Sequence, residues 1–218
     1  MRRGQIAIAL PKGRLLAEAI KLFEATGVQG LEGLAESRRL LCEDFTGAYR
    51  FLVLRPADIP TYVEYGATDM GVVGKDILLE QERDVYEPLD LKYGACRLVV
   101  ARPTNLEDKG RPVGFSSLRV ATKYPTLTER YFTEQGVQVE IIRLSGSIEL
   151  APLAGLCERI VDLVDTGRTL QENGLEEVEE ITTATARLIV NRAALKTKYQ
   201  QVRGMIERLT AAIQGGGA

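Results

Sequence analysis

The chain has 218 residues, 45% of them apolar and 27% charged, long enough to bury one large core or two small ones. Its 28 basic and 30 acidic residues give a net charge of −2, so a general nucleic-acid-binding role has no electrostatic support. No run approaches the ~18 apolar residues of a membrane span.

Histidine is absent altogether. That removes Ser-His and Cys-His nucleophilic pairs, histidine general bases and most zinc sites. Catalysis must then rest on Asp, Glu, Lys, Arg and Tyr, on backbone dipoles, or on a hard metal ion. Cys42, Cys96 and Cys157 are far apart in mostly apolar neighbourhoods and read as buried structural thiols. Met1-Arg2-Arg3-Gly4-Gln5 runs directly into a strand pattern without an export signal, so a cytoplasmic location is expected.

Gln5–Leu10 reads as a strand, and Pro11-Lys12-Gly13-Arg14 turns into a helix whose apolar face is Leu15, Leu16, Ala19, Ile20 and Phe23. Gly27 ends that helix. Leu40–Phe45 and Tyr49–Leu54 pair around a Thr46-Gly47 turn. Asp58 is an N-cap candidate for a helix through Val63, with Gly66 at its far end. Met70–Val73 is a short buried strand and Lys75–Gln81 a short helix. Strands alternating with helices in this way imply a mainly parallel sheet.

Cys96–Ala101 is a strand, and Pro103–Pro112 is a polar, charged loop. Three strand-loop-helix units follow. Leu118–Ala121 leads through Lys123-Tyr124-Pro125 into a helix ending near Gly136. Val137–Leu144 leads through Ser145-Gly146-Ser147 into a helix around Glu149. Ile160–Val164 leads into Asp165-Thr166-Gly167-Arg168-Thr169-Leu170. In α/β sheets ligands sit outside the carboxyl ends of the strands, where all three loops lie. Ala184–Val190 is another strand, a helix follows from about Ala194 to Ile213, and Gly215–Ala218 is a frayed tail. The order suggests two α/β lobes, residues 1–93 with 180–218 and residues 94–179, with a ligand cleft between them.

Asp162–Leu170 carries the most chemistry. Two carboxylates precede a turn of Thr, Gly and Thr, and Thr169-x-x-Glu172 is a capping box. Backbone N–H groups converging at a helix start make a phosphate cradle, and acids beside it suit the hydroxyls of a sugar or a Mg²⁺ ion. The same residues also suit an ordinary strand-to-helix connection. Ser145-Gly146-Ser147-Ile148-Glu149 is a second candidate anion nest. Lys12 and Arg14 place two cations at a helix N-terminus, where the dipole disfavours them unless an anion binds. Arg38, Arg39, Arg50 and Arg55 are either surface charges or polyphosphate ligands. Asp69 either caps the following turn or accepts from a base or ribose.

These motifs, in this order, resemble the short form of the ATP phosphoribosyltransferase family. The resemblance rests on Leu10-Pro11-Lys12-Gly13-Arg14-Leu15, Ser37-Arg38, Arg55–Pro60, Gly66–Asp76, Ala121–Tyr124, Ser145–Glu149 and Asp162–Leu170, and covers nearly the whole chain. It implies two lobes similar to type II periplasmic binding proteins. It implies Mg²⁺-dependent transfer of phosphoribosyl from phosphoribosyl pyrophosphate to N1 of ATP. It also implies a second, regulatory subunit resembling histidyl-tRNA synthetase, a dimeric catalytic chain, and no nucleic-acid or membrane partner. The long form's histidine-binding domain is expected to be lacking.

On this resemblance, Thr166, Gly167, Arg168, Thr169 and Leu170 hold the 5′-phosphate. Asp162 and Asp165 take the ribose hydroxyls, directly or through Mg²⁺, with Ser145, Gly146, Ser147 and Glu149 on the same side. Mg²⁺ is held mainly by substrate phosphates. Leu10, Lys12, Arg14, Arg55, Asp69, Met70, Gly71, Lys123 and Tyr124 are expected on the ATP side. Arg14 and Arg38 are the expected catalytic residues, meeting the charge that grows on pyrophosphate.

Overall fold

A computed structural model describes residues 4–104 and 117–215. Residues 105–112 of the expected polar loop, residues 216–218 of the glycine tail, and residues 1–3 lie outside the described residues. The chain divides into two compact units. One comprises Met1–Leu78, Glu82–Gly94 and Thr185–Ala218; the other comprises Leu79–Gln81 and Ala95–Ala184.

The first unit opens with β1 (Ile6–Pro11), α1 (Leu16–Ala25), β2 (Leu41–Glu43), β3 (Tyr49–Leu54), α2 (Ile59–Glu64), β4 (Met70–Gly74), α3 (Lys75–Gln81), whose last three residues belong to the second unit, and β5 (Tyr86–Asp90). The second unit holds β6 (Cys96–Pro103), β7 (Leu118–Thr122), α4 (Pro125–Glu134), β8 (Val139–Arg143), α5 (Leu150–Leu153), β9 (Arg159–Val164), α6 (Arg168–Glu172) and β10 (Leu175–Ala184). The chain then returns to the first unit as β11 (Ala186–Val190), α7 (Ala194–Thr197) and α8 (Tyr199–Gly215).

The first sheet has six strands in the order β2-β3-β1-β4-β11-β5. Strand β1 is buried along its length, as a central strand covered on both faces must be. Its alternation sorts the faces: Ile6, Ile8 and Leu10 join one cluster with Phe23 of α1 and Val202, Met205 and Leu209 of α8. Ala9 faces the other way, against Ile59 and Val63 of α2. Phe23 meets Phe51 edge-on, with ring centroids 5.4 Å apart. Each such large side chain, once fully buried, contributes about 1.5–3 kcal/mol.

The second sheet has five strands in the order β10-β6-β9-β7-β8. Alternation again builds two layers. Val99, Ala101 and Ile160 pack with Ile148, Ala151 and Leu170 around α5 and α6. Leu98, Val100 and Val161 pack with Tyr124, Leu127 and Phe132 of α4.

Both sheets are mixed rather than mainly parallel. In the first, β1 runs parallel to β3 and β4, while β2, β11 and β5 pair antiparallel. In the second, β7 runs parallel to β8 and β9, while β6 and β10 pair antiparallel. Strands β5 and β10 were not expected. Glu176, Glu177, Glu179 and Glu180 hide β10 from any apolar alternation, and register shifts after Glu177 and Glu180 break its period further. Arg97 and Arg102 on β6 pair with Glu177 and Glu176, both at 2.8 Å.

One capping expectation and one helix boundary fail. The Asp58 side chain caps nothing, because a 3-10 turn at Pro56–Asp58 leads into α2 instead. The long terminal helix breaks at Lys198, whose ammonium leaves the helix to donate to the Gln5 carbonyl at 2.8 Å and to Asp69 at 2.7 Å. The cysteines are free thiols, with Cys96 and Cys157 buried and Cys42 half-buried. Burial pushes the Cys157 thiol up from its ordinary value, which suits an inert packing residue.

Candidate functional site

In the first unit, β1 and β3 run parallel and end together, with Pro11 opposite Leu54. The Lys12 N–H donates to the Leu54 carbonyl at 2.7 Å, so the Lys12–Leu15 turn and Arg55 emerge side by side. Gly13 has φ 97° in this turn, a left-handed conformation that favours glycine. Its carbonyl accepts from the Leu16 N–H at 3.0 Å and starts α1.

A hollow of about 780 Å³ opens beside this turn, lined by buried Leu16, Leu34 and Val53 and by exposed Lys12, Arg38 and Arg39. Ser37 sets the backbone that carries the two arginines. Its hydroxyl donates to the Leu34 carbonyl at 3.2 Å and accepts from the Arg39 N–H at 3.2 Å. Three cations around an apolar floor suit a ligand with a flat apolar part and several negative charges. Arg14 lies next to this group in the chain, and its guanidinium makes a long contact, 3.4 Å, to the Gly94 carbonyl. Arg39 was open between surface charge and polyphosphate ligand, and Ser37, though it stands in one of the resembling motifs, was given no role.

Asp69, Met70 and Gly71 do not join this group. They sit at the start of β4, whereas Lys12 follows the end of β1, which runs parallel to β4. The Asp69 carboxylate accepts from the Ala7 N–H at 2.8 Å and from the Lys198 ammonium at 2.7 Å. It ties the last helices to the sheet. Met70 is fully buried, and a Cβ on Gly71 would stand 2.7 Å from Ile59 and 2.9 Å from Val63. Gly71 thus lets α2 lie close on the sheet. Leu10 is fully buried as well, so only its backbone is available to a ligand.

In the second unit the parallel trio β8-β7-β9 delivers three loops to one end, as the sequence suggested. Asp162 lies on β9, half-buried, and accepts from the Leu163 N–H at 2.8 Å. Burial is the main force raising its carboxyl above the ordinary value. Its own backbone hydrogen bond opposes that, Glu149 adds to it, and Lys123 works against it. Asp162 thus feels Glu149 and Lys123, which stand after β8 and β7. Lys123 and Tyr124, expected on the ATP side, lie in the second unit, at the end of β7, the strand that pairs with β9. Tyr124 is buried, and the Lys123 ammonium lies 6.0 Å from its ring centroid.

The Asp165–Leu170 turn reaches helix α6 through Gly167, at φ 77°. A Cβ there would come within 3.0 Å of the Glu177 carboxylate, which Arg97 holds in place, so glycine is required twice over. The capping box is not formed: Gly167 is the N-cap residue, and Glu172 instead pairs with Arg168 at 2.8 Å. Helices α5 and α6 have only four and five residues, so anion binding here would come from local N–H groups rather than a long helix dipole. Ser147, φ 50°, is one of three non-glycine residues with positive φ among those described. Such strain, of order 1–3 kcal/mol, gathers at functional turns. Ser145, Gly146, Ser147, Asp165, Thr166, Arg168 and Thr169 are all exposed around this end of the sheet.

A family model described as ATP phosphoribosyltransferase matches residues 55–214. An ATP phosphoribosyltransferase of Syntrophotalea carbinolica is 58% identical over 204 residues, 94% of this chain and 93% of that one. One from Caldanaerobacter subterraneus is 52% identical over 97% of this chain and 99% of its own length. Among solved structures, the ATP phosphoribosyl transferase (HisG:HisZ) complex from Thermotoga maritima superposes with a TM-score of 0.83 at 36% identity, covering 98% of this chain and 100% of that one. The alkanesulfonate-binding protein SsuA from Xanthomonas axonopodis, at 12% identity and a TM-score of 0.56, covers 97% of this chain and 74% of its own, and shares the fold alone.

Proposed function

The chain belongs to the ATP phosphoribosyltransferase family, and on that premise we infer that it transfers the phosphoribosyl group of phosphoribosyl pyrophosphate to N1 of ATP, releasing pyrophosphate, the first step of histidine biosynthesis. The observation that carries the chemistry is the parallel trio β8-β7-β9, which brings the Lys123, Ser145–Glu149 and Asp165–Leu170 segments to one end, with the glycine-dependent turn at Gly167 among them.

In this reading the second unit takes phosphoribosyl pyrophosphate. Backbone N–H groups of Thr166–Leu170 and the threonine hydroxyls hold the 5′-phosphate, with Ser145–Ser147 supporting. Asp162 and Asp165 accept from the ribose hydroxyls, and Lys123 offsets the charge they concentrate. The first unit takes ATP: the apolar floor of its hollow suits the adenine, and Lys12, Arg38, Arg39 and Arg55 suit the triphosphate. N1 of adenine attacks C1 of the ribose as the bond to pyrophosphate breaks. A ring nitrogen has no proton to lose, so no general base is needed, and the absence of histidine is no obstacle. The demand falls on the departing pyrophosphate, where Arg38 and Arg14 act electrostatically.

Mg²⁺ fits this site as a partner of the substrate. Among the described residues no group of three or more Asp, Glu or Cys side chains is placed to hold a metal ion, and Glu149 with Asp162 offers hard oxygen donors at the sugar. Bound through the pyrophosphate oxygens, the ion would neutralise charge on the leaving group. A second subunit in a hetero-oligomer is supported by the likeness to the two-component complex; in this reading that subunit is regulatory and resembles histidyl-tRNA synthetase, and the catalytic chain is a dimer. A cytoplasmic location agrees with the described residues, where no helix is long and apolar enough to cross a membrane.

The direct test incubates the purified chain with ATP, Mg²⁺ and phosphoribosyl pyrophosphate, with and without the regulatory subunit. Absorbance near the adenine band should rise as the N1-substituted product forms. No rise in either case, with ligand binding retained, would leave a binding module rather than an enzyme.

A further inference from the structure

The turn that carries Lys123 is held from outside its own helix. Helix α4 starts at Pro125, which has no N–H, and its N-cap residue, Tyr124, makes no side-chain cap bond. The Thr128 N–H already reaches the Tyr124 carbonyl at 3.0 Å. The two donors between them, Thr126 and Leu127, both give their N–H to the Glu80 carboxylate, one to each oxygen at 3.0 Å. Every N–H of the first turn is thereby accounted for. Glu80 lies on the last turn of α3, where the chain enters the second unit, and its neighbour Leu79 packs with Tyr124 and Leu127.

A serine or aspartate at position 124 would cap α4 locally. Tyr124 stands there instead, its ring buried, so the cap has to come from elsewhere. From the inner side the turn is held by Thr122, whose hydroxyl donates to the Val161 carbonyl at 2.8 Å and accepts from the Tyr124 N–H at 2.9 Å. Lys123 therefore sits between two clamps, one on β9 beside Asp162 and one on Glu80.

We propose that Glu80 is a positioning residue for the phosphoribosyl site. It holds α4 so that Lys123 stays beside Asp162 and Glu149, and it fills the helix's N–H donors so that substrate phosphates are not drawn to them. The first role rests on the reading of the second unit as the phosphoribosyl pyrophosphate side; the second does not.

The test uses Glu80→Ala and Glu80→Gln in the full chain with its regulatory subunit. Glu80→Ala should raise KM for phosphoribosyl pyrophosphate roughly five-fold, the worth of one lost cap, with KM for ATP and kcat little changed. Added acetate should reverse the rise in the variant and do nothing to the parent. In amide NMR, inorganic phosphate should shift the Thr126 and Leu127 resonances of Glu80→Ala but not those of the parent. If Glu80→Ala does not fold, Glu80→Gln, which keeps one acceptor, should show the same KM split at smaller size. Equal changes in both KM values without acetate rescue, or phosphate shifts absent from the variant, would overturn the proposal. Failure of the parent chain to bind phosphoribosyl pyrophosphate would sink the functional reading alone, because the phosphate titration still decides what Glu80 does.

Discussion

Asp162 offers a test in which binding and stability should move in opposite directions. Burial dominates its environment and raises its carboxyl, with Glu149 adding to the rise and Lys123 and the Leu163 N–H opposing it. A folded value above the unfolded one means that the fold prefers the protonated acid. Asp162 therefore supports the fold fully only below its unfolded pKa, and that support is lost as pH rises through the folded value. At neutral pH the charge is carried at a cost to stability. Asp162→Asn removes the charge while keeping shape and one acceptor, so the melting temperature at pH 7 should hold or rise. Binding should suffer, because a charge-assisted hydrogen bond to a ribose hydroxyl is worth about 1.5–3 kcal/mol, or roughly 10- to 150-fold in affinity. Calorimetry with phosphoribosyl pyrophosphate and a thermal melt at pH 5 and pH 7 measure both sides. The parent's disadvantage against Asp162→Asn should shrink at pH 5. A variant that melts lower at pH 7 yet binds the sugar phosphate normally would refute both the electrostatic and the functional assignment.

Arg38→Ala should lower kcat by about 10²–10³-fold while weakening ATP binding far less, since its charge is needed as pyrophosphate departs; equal loss of both in single-turnover and binding assays would make it a binding residue only. Gly71→Ala should cost about 1–3 kcal/mol in denaturant unfolding, because the new methyl meets Ile59 at 2.7 Å and Val63 at 2.9 Å and must push α2 off the sheet. Lys198→Met should destabilise by up to ~3 kcal/mol by leaving the Asp69 carboxylate without its ammonium, with the kinetic constants of the remaining folded protein unchanged. A loss of ATP affinity in that variant would return Asp69 to the ATP site.

What the sequence displays depends on how local each device is. The run Ile6–Leu10 and the segment Met70–Gly74 are unbroken apolar stretches; the turn after the first carries Gly13 and the second ends on Gly74, so strands and exits were plain. The same holds for Leu118–Thr122 and Ile160–Val164 with their three loops. Strand β10 was not visible because three of its glutamates, Glu176, Glu177 and Glu180, answer to Arg102 and Arg97 on β6, far away in the chain. The nearness of Lys123 to Asp162 was hidden for a similar reason. Nothing near it in the chain names Asp162 as its neighbour; strand order does. Capping boxes are a local pattern, yet Asp58 and Thr169 both lost to alternatives, a 3-10 turn and a left-handed glycine, that leave no distinctive residue signature.

The glutamates of β10 also bear on how the molecule meets its own kind. This strand is the outermost of its sheet, and an outermost strand is an open invitation to pair with a second chain. Along it the run of Glu176, Glu177, Glu179 and Glu180 is broken by two register shifts, which bend the backbone out of the flat line that strand addition requires. Two copies approaching by this border would bring like charges together on a template that does not match. Neutralising the glutamates should therefore make the protein prone to aggregate long before it changes its chemistry.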